Sequence, residues 1–540
     1  MTGTPRTLNE PRDRGSLEPA LMVSFTDSSR EPIYGSTRVD ELEVRSRVAE
    51  ILNRRPAVGL AVGVVRDGRL EYFHGHGLAD IGSNTPVTED TVFRIASITK
   101  TFTAIAVMQL WEKGLVDLDA PANDYLRGYK LIPGDPAWRP ATVRHLLTHS
   151  AGLPEVAHLR GLFSPDFGEG VDAGQPLSSL GDFYKGGLRL YAEPGTRFVY
   201  NNHGPATLGQ LVQDVTGEPL DRYFRGYIFE PLGMADSDLL RSERIRRRLA
   251  TGYEIHSRGV KTVADRELVT AGAASIYSTP RDMSRYLAAL LGGGSNEHGS
   301  VLKAGTLGMM FEAHYQPDSR IPGMGLGFFR KDISGHLAVR HQGTLPGFHS
   351  EICVVPDAGI GVMAFTNGAS QPDFWLPAEV SGMLKGLIGL SDDQTPPMPQ
   401  LPDLWEDLSG WYRLSARLSD TRLRAMMGAG VEVFVRGGRL MLRFLTPIPA
   451  LAGGFPLQPD DAVDPYVFRI DPAEGGLDDP VRVVFGQDPG GSPSRLFFDL
   501  MPVTFEKQPD VTNPRKWTTS LLGGLAVAAA VSLFRRAGSR

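Results

Sequence analysis

The chain of 540 residues contains a single cysteine, Cys353. An internal disulfide is therefore excluded, and so is a metal site built from cysteines. Cys353 lies in the apolar run SEICVVP and reads as a small buried apolar residue. Long blocks of like charge are also missing. The formal net charge of −6 is spread along the chain, and no basic stretch suggests a nucleic-acid partner. The first thirty residues are polar and proline-bearing, without the apolar core of a secretory signal. A chain of this length exceeds what one core supports, so two or more domains are expected.

What is present begins with a polar segment, 1–35, that reads as disordered. Val39 to Leu52 has the apolar spacing of an amphipathic helix, with Val39, Leu42, Val48, Ile51 and Leu52 on one side. Two β-rich runs then flank Asp67-Gly68, a strong hairpin signal. His74 and His76 share one strand face, but no third ligand accompanies them, and they read as ordinary strand residues. From about 115 to 290 the pattern is mainly helical. From 323 it returns to strands, with Pro356-Asp-Ala-Gly359 as a hairpin turn and 373–390 as a closing helix. A proline-rich linker, 391–403, separates this first domain, 36–390, from an all-β accessory domain at 404–508.

The segment Trp517 to Phe534 carries no charge and is flanked by basic residues on both sides. It is at the short end of the ~17–25 residues that span a bilayer, and it reads as a C-terminal membrane anchor, with a docked soluble helix as the alternative. Without a secretory signal, the rest of the chain would lie on the cytoplasmic side.

Chemistry concentrates at Thr91–Trp111, where Ser97-Ile-Thr-Lys100 heads an apolar run of helical spacing. Residues three apart share a helix face, so the hydroxyl and the amine can meet. A serine needs an adjacent base to become a nucleophile. A lysine is that base only without its proton, and bringing an ordinary one to neutrality takes roughly 4–5 kcal/mol of differential interaction. Serine is also a preferred helix cap, and Ser-x-x-Lys recurs at Ser300–Lys303, so the tetrapeptide alone does not decide. Two more short motifs follow. Tyr200-Asn201-Asn202 precedes a helix from Pro205 onward. Its phenol could act as acid and base, and its amide could orient Lys100 and a substrate carbonyl. His341-Gln342-Gly343 falls on a strand, where glycine permits close approach of a substrate backbone.

In this order the three motifs resemble the serine β-lactamase and penicillin-binding-protein superfamily, for which Ser-x-x-Lys is a hallmark. The resemblance is closest to class C β-lactamases and their related esterases and D-amino-acid-specific peptidases. FRIASITKTFTA, VRHLLTHSAGLP, YNNHGPATLGQLVQDVTG, EPLGM and SIYSTPRDMSRYL carry it over about residues 38–390. It implies an α+β fold, an antiparallel sheet flanked by helices plus an all-helical subdomain. It also implies Ser97 as acylating nucleophile, Lys100 as its base and Tyr200 as proton shuttle. Asn202, His341 and Gly343 would line the substrate site, with the N–H groups of Ser97 and Thr344 as an oxyanion hole. No cofactor and no metal are implied. One departure stands out: a lysine usual in the third motif is replaced by His341, mostly neutral at pH 7. The expectation is therefore a serine hydrolase of small esters, amides or peptides rather than of β-lactams. An acyltransferase, or a slowly deacylating sensor, would use the same residues.

Overall fold

The computed structural model describes residues 40–158, 161, 164, 168–369, 375–390, 398–415, 427–471 and 480–515. The segments read as disordered (1–35) and as a membrane span (517–534) lie outside them, as do residues 391–397 of the linker.

The first helix, α1 (Glu41–Arg54), starts where Asp40 accepts hydrogen bonds from the Leu42 and Glu43 N–H groups. That start sets the buried stripe as Val44, Val48 and Ile51. Leu42, expected on the buried side, is 77% exposed because it falls in the first turn, off that stripe.

Strands β1 (Gly59–Arg66) and β2 (Arg69–Asp80) form the hairpin at Asp67-Gly68, both residues having positive φ (50° and 74°), as a tight two-residue turn requires. A short β3 (Thr85–Pro86) follows. Four later strands complete the sheet: β4 (Phe329–Ile333), β5 (His336–Leu345), β6 (Phe348–Val355) and β7 (Ile360–Thr366). Their order is β4-β5-β6-β7-β1-β2-β3, antiparallel throughout, so the chain's return at residue 360 inserts β7 beside β1.

Alternation along β1 feeds two cores. Leu60, Val62 and Val64 pack with α1 and the closing helix Trp375–Leu387, whereas Ala61 and Val65 join the larger core around α2 (Thr99–Glu112). Arg47 and Arg54 both reach the buried Glu379, at 3.2 and 2.7 Å, clamping α1 to that closing helix. Helix α2 is buried on all sides from Thr99 to Leu110 and forms the centre of the helical layer rather than a surface helix. Helix α3 (His203–Thr216) packs beside it.

The C-terminal region forms a nine-stranded antiparallel sheet. Its first strand, Gly410–Leu414, pairs with its last, Met501–Gln508. Its two edges are Phe455–Pro456 and Gln458–Pro459, separated only by Leu457. The sheet therefore curls back on itself into a near-barrel, which protects both edges. Its apolar cluster is continuous with Phe198, Val199, Met324 and Phe329 from the first part of the chain. Arg320 ties the two parts further, bonding Asp464 Oδ2 at 2.9 Å and the Phe485 carbonyl at 3.0 Å.

The longest described helices have 14 residues, a length of about 21 Å against the ~30 Å of a bilayer core. Among the described residues no helix is long and apolar enough to cross a membrane. This corrects the expectation of a membrane anchor, and with it the transmembrane and cytoplasmic-side assignments.

Candidate active site

Ser97 lies in a single 3-10 turn, Ala96–Ile98, that runs directly into α2. The preceding Ala96 has φ of 48°, a left-handed conformation that costs a non-glycine residue about 1 kcal/mol or more. Surrounding contacts hold it. The Ser350 hydroxyl donates to the Ile95 carbonyl at 2.8 Å, and the Thr99 hydroxyl donates to the Ala96 carbonyl at 2.7 Å. The backbone leading into the turn is thus anchored to β6.

One helical turn on, the Lys100 amine donates to Ser97 Oγ (2.9 Å), Asn202 Oδ1 (2.9 Å) and the Ala273 carbonyl (3.1 Å). Lys100 is 2% exposed and Ser97 9%. The amine sits 5.0 Å from the centroid of the Tyr200 ring. Three sequence-predicted groups are thus gathered around one nitrogen, although Asn202 lies 102 residues further along the chain. Asn201 supports the loop rather than the site: its side chain bonds the Val199 carbonyl and the Gly204 N–H, starting α3.

His341 is on β5 and completely buried. Its Nδ1 bonds the neighbouring Gln342 carbonyl at 2.7 Å, and its ring packs 5.4 Å from Phe329 and 6.3 Å from Tyr200. Burial, followed by the nearby Lys100 charge, pushes its pKa down to about 3, so it is neutral at pH 7.

Gly343 has a reason within the fold to lack a side chain. A Cβ there would lie 2.3 Å from the Ile95 carbonyl oxygen, 2.3 Å from Ser350 Oγ and 3.0 Å from the Ala96 Cβ. The space is taken by the backbone leading into the Ser97 turn and by Ser350. This close contact brings Thr344, half-buried, next to the Ser97 turn. Pairing of β4 with β5 stops at Arg340, opposite Phe329, and among the described residues no strand pairs with His341–Leu345 on that side.

Several residues of the site have no motif to announce them. His149 packs with its ring 4.6 Å from that of Tyr200, tilted by 39°, and its Nδ1 receives the Asn201 N–H at 3.4 Å. Burial, then Lys100, holds its pKa well below the usual histidine range. Its stretch, THSAGLP, is part of the resemblance, which was the one available signal. Behind Asn202 lies Glu169, buried, whose Oε2 accepts from Asn202 Nδ2 (3.0 Å) and the Thr270 hydroxyl (2.7 Å). The second Ser-x-x-Lys is unrelated: Ser300 bonds the Leu302 carbonyl, and Lys303 precedes the helix Ala304–Phe311. His74 and His76 stay on β2, and among the described residues no group of three or more His, Cys, Asp or Glu could hold a metal ion.

Comparison with known proteins adds a second line. The family described as Beta-lactamase matches residues 44–379. Esterase EstB of Burkholderia gladioli is 28% identical over 381 residues, covering 64% of this chain and 96% of that protein. Penicillin-binding protein 4 of Amycolatopsis lactamdurans is 29% identical, covering 66% of this chain and 92% of its own. Among solved structures, the octameric penicillin-binding protein homologue from Pyrococcus abyssi superposes with a TM-score of 0.55 at 24% identity, over 87% of this chain and all of that one. At that identity the likeness concerns fold alone, and it extends over more of the chain than the family match does.

Proposed function

The chain belongs to the Beta-lactamase family, and from that premise we propose that it is a serine acyl hydrolase working through an acyl-enzyme on Ser97. The single observation that carries the reading is the Lys100 amine, held at 2.9 Å from both Ser97 Oγ and Asn202 Oδ1 beneath the Tyr200 ring.

In this reading Lys100, as the free amine, takes the Ser97 proton while Oγ bonds the substrate carbonyl carbon. The N–H groups of Ser97 and Thr344 receive the developing oxyanion. Tyr200 passes a proton to the departing oxygen or nitrogen as the scissile bond breaks. The proton held by Lys100 passes to Tyr200 to replace the one given up, which leaves Lys100 the free amine and Tyr200 the phenol. A water then gives a proton by way of Tyr200 to Lys100 as its oxygen attacks the acyl carbon, the carbon–Oγ bond breaks, and that proton returns to Ser97 Oγ. No step uses a metal or a cofactor.

The substrate class follows from His341. A permanent cation in the third motif would hold a substrate carboxylate. Here the residue is a buried neutral imidazole, tied to its own backbone. The neighbouring Arg340 pairs with buried Glu351 at 2.7 Å. The favoured substrates are therefore esters or amides with an uncharged acyl part. The kinship with an esterase supports this, and β-lactams bearing a carboxylate are disfavoured.

The test uses the full chain and its Ser97→Ala variant with a fluorophosphonate probe and p-nitrophenyl esters of several chain lengths. Label mapping to Ser97, with turnover lost in the variant, sustains the reading. Label or turnover independent of Ser97 overturns it. A burst without steady-state turnover would replace it with a slowly deacylating sensor.

A further inference from the structure

The mechanism above leaves a buried acid beside Asn202 without a task. Glu169 sits just before the short strand Gly170–Asp172, which pairs with Arg266–Leu268. Its carboxylate is 2% exposed and lies directly behind the Tyr-x-Asn motif. Oxygen Oε2 takes two donors, Asn202 Nδ2 at 3.0 Å and the Thr270 hydroxyl at 2.7 Å. Oxygen Oε1 lies 3.8 Å from His203 Nε2.

An amide side chain has an acceptor end and a donor end that differ little in shape. Only the acceptor end of Asn202 is useful to Lys100, since an NH₂ group facing the free amine would compete with the Ser97 hydroxyl for its lone pair, and one facing the ammonium would repel it. A carboxylate at the other end selects the orientation, because it accepts and never donates. The line Ser97 Oγ, Lys100 Nζ, Asn202 Oδ1, Asn202 Nδ2, Glu169 Oε2 is then unbroken, with its three hydrogen bonds between 2.9 and 3.0 Å.

We propose that Glu169 is the positioning residue of this site: it orients Asn202 and, through it, Lys100, and its charge sets the pH at which Lys100 becomes a free base. The inference rests on the serine-hydrolase reading. It adds a residue that touches no substrate.

The sign of the electrostatic effect is definite. A negative charge one side chain away favours the charged form of Lys100 and so delays the free base to higher pH. Among the described residues, the titratable groups packed around Lys100 and Glu169 include His149, His203, His341, Tyr184, Tyr200 and Glu155. Burial keeps the three histidines neutral, and it keeps the Tyr184 phenol protonated. None of these four changes charge near neutrality, and Glu169 is the carboxylate hydrogen-bonded to the side chain that Lys100 itself contacts.

The experiment measures the rate of fluorophosphonate labelling of Ser97 against pH in the full chain, in Glu169→Gln and in Glu169→Asp. Labelling reports nucleophile activation and needs no knowledge of the natural substrate. In Glu169→Gln the acid limb should move down by about one pH unit, the size expected for one charge at this range. The plateau rate should fall about tenfold, as Asn202 is no longer held in one orientation. Glu169→Asp, which keeps the charge, should leave the limb in place while lowering the plateau. Adding Glu169→Gln to Asn202→Ala should cost no further plateau rate, because the first acts through the second.

A limb unmoved in Glu169→Gln, or plateau losses that multiply in the double variant, would overturn the proposal. If Glu169→Gln does not fold, Glu169→Asp decides alone: a plateau within about twofold of the parent overturns the proposal, and a larger fall with an unmoved limb sustains it. Failure of Ser97 labelling in the parent protein would be a failure of the hydrolase reading instead, so the two are separable.

Discussion

The carbonyl oxygen of Ile95 lies 2.3 Å from where a side chain on Gly343 would begin. Strand β5 and the turn that presents Ser97 are thereby in backbone contact. Gly343→Ala must push them apart, since backbone cannot yield as a flexible side chain does. Overpacking of this kind costs typically 1–3 kcal/mol. The expected outcome is a lower melting temperature together with a loss of turnover of at least about a hundredfold, because a 1 Å misplacement of reacting groups is enough for that. Calorimetry and ester kinetics on the same preparation would check it. A stable variant with normal turnover would mean that the turn has another place to go.

Tyr200 offers a separation of chemistry from packing. Its ring lies 4.6 Å from His149, 5.9 Å from Phe329 and 5.0 Å from the Lys100 amine. Phenylalanine keeps all three ring contacts and deletes only the hydroxyl. Tyr200→Phe should therefore hold stability within about 1 kcal/mol of the parent. Turnover should fall by about 10²–10⁴, the usual worth of a positioned acid or base. Thermal melts and kcat are the two readouts.

Phe198 joins the site to the C-terminal sheet. It packs 5.8 Å from His149 and 6.3 Å from Phe329, and it belongs to the apolar cluster that continues into the nine-stranded sheet. Phe198→Ala should cost about 3–5 kcal/mol, as a large buried aromatic does. Because it underlies the segment leading to Tyr200, kcat should drop as well, even at temperatures where the variant is fully folded. Urea unfolding and kinetics at low temperature would measure both.

Acid should unfold this protein readily. His203 and His341 have folded-state pKa values pushed down to about 3 by burial. Below pH 6.5 the unfolded chain takes up protons that the folded chain refuses. Their contribution is thus fully present above pH 6.5 and is lost progressively as the pH falls toward 3. Between pH 7.5 and 5.0 each costs about 2 kcal/mol. The expected result is a steep fall in unfolding free energy over that window. His341→Gln should flatten it by roughly one histidine's share.

The motifs that matter could be read without a structure because they are local. Ser97 and Lys100 are three residues apart, and helix geometry alone lets them meet. The Asp67-Gly68 hairpin is likewise a property of two residues and their allowed φ. The order of the three motifs and the stretches around them were enough to point to the family that residues 44–379 match. Even the neutrality of His341 was anticipated from its type.

What needed the tertiary structure was everything that depends on the chain returning to itself. Gly343 is required by Ile95, a contact made when β6 brings Ser350 back across 255 residues to the Ser97 turn. Glu169 had no signal in its Gly- and Asp-bearing surroundings, and its meaning comes only from Asn202 and Thr270 meeting it there. The near-barrel could be foreseen as β structure, but its continuity with Phe198 and Phe329 could not. Local geometry follows from a few dihedral angles. Long-range contact is decided by the packing of whole elements, and it is that packing which turned a serine and a lysine on one helix face into a site in which every neighbour is held.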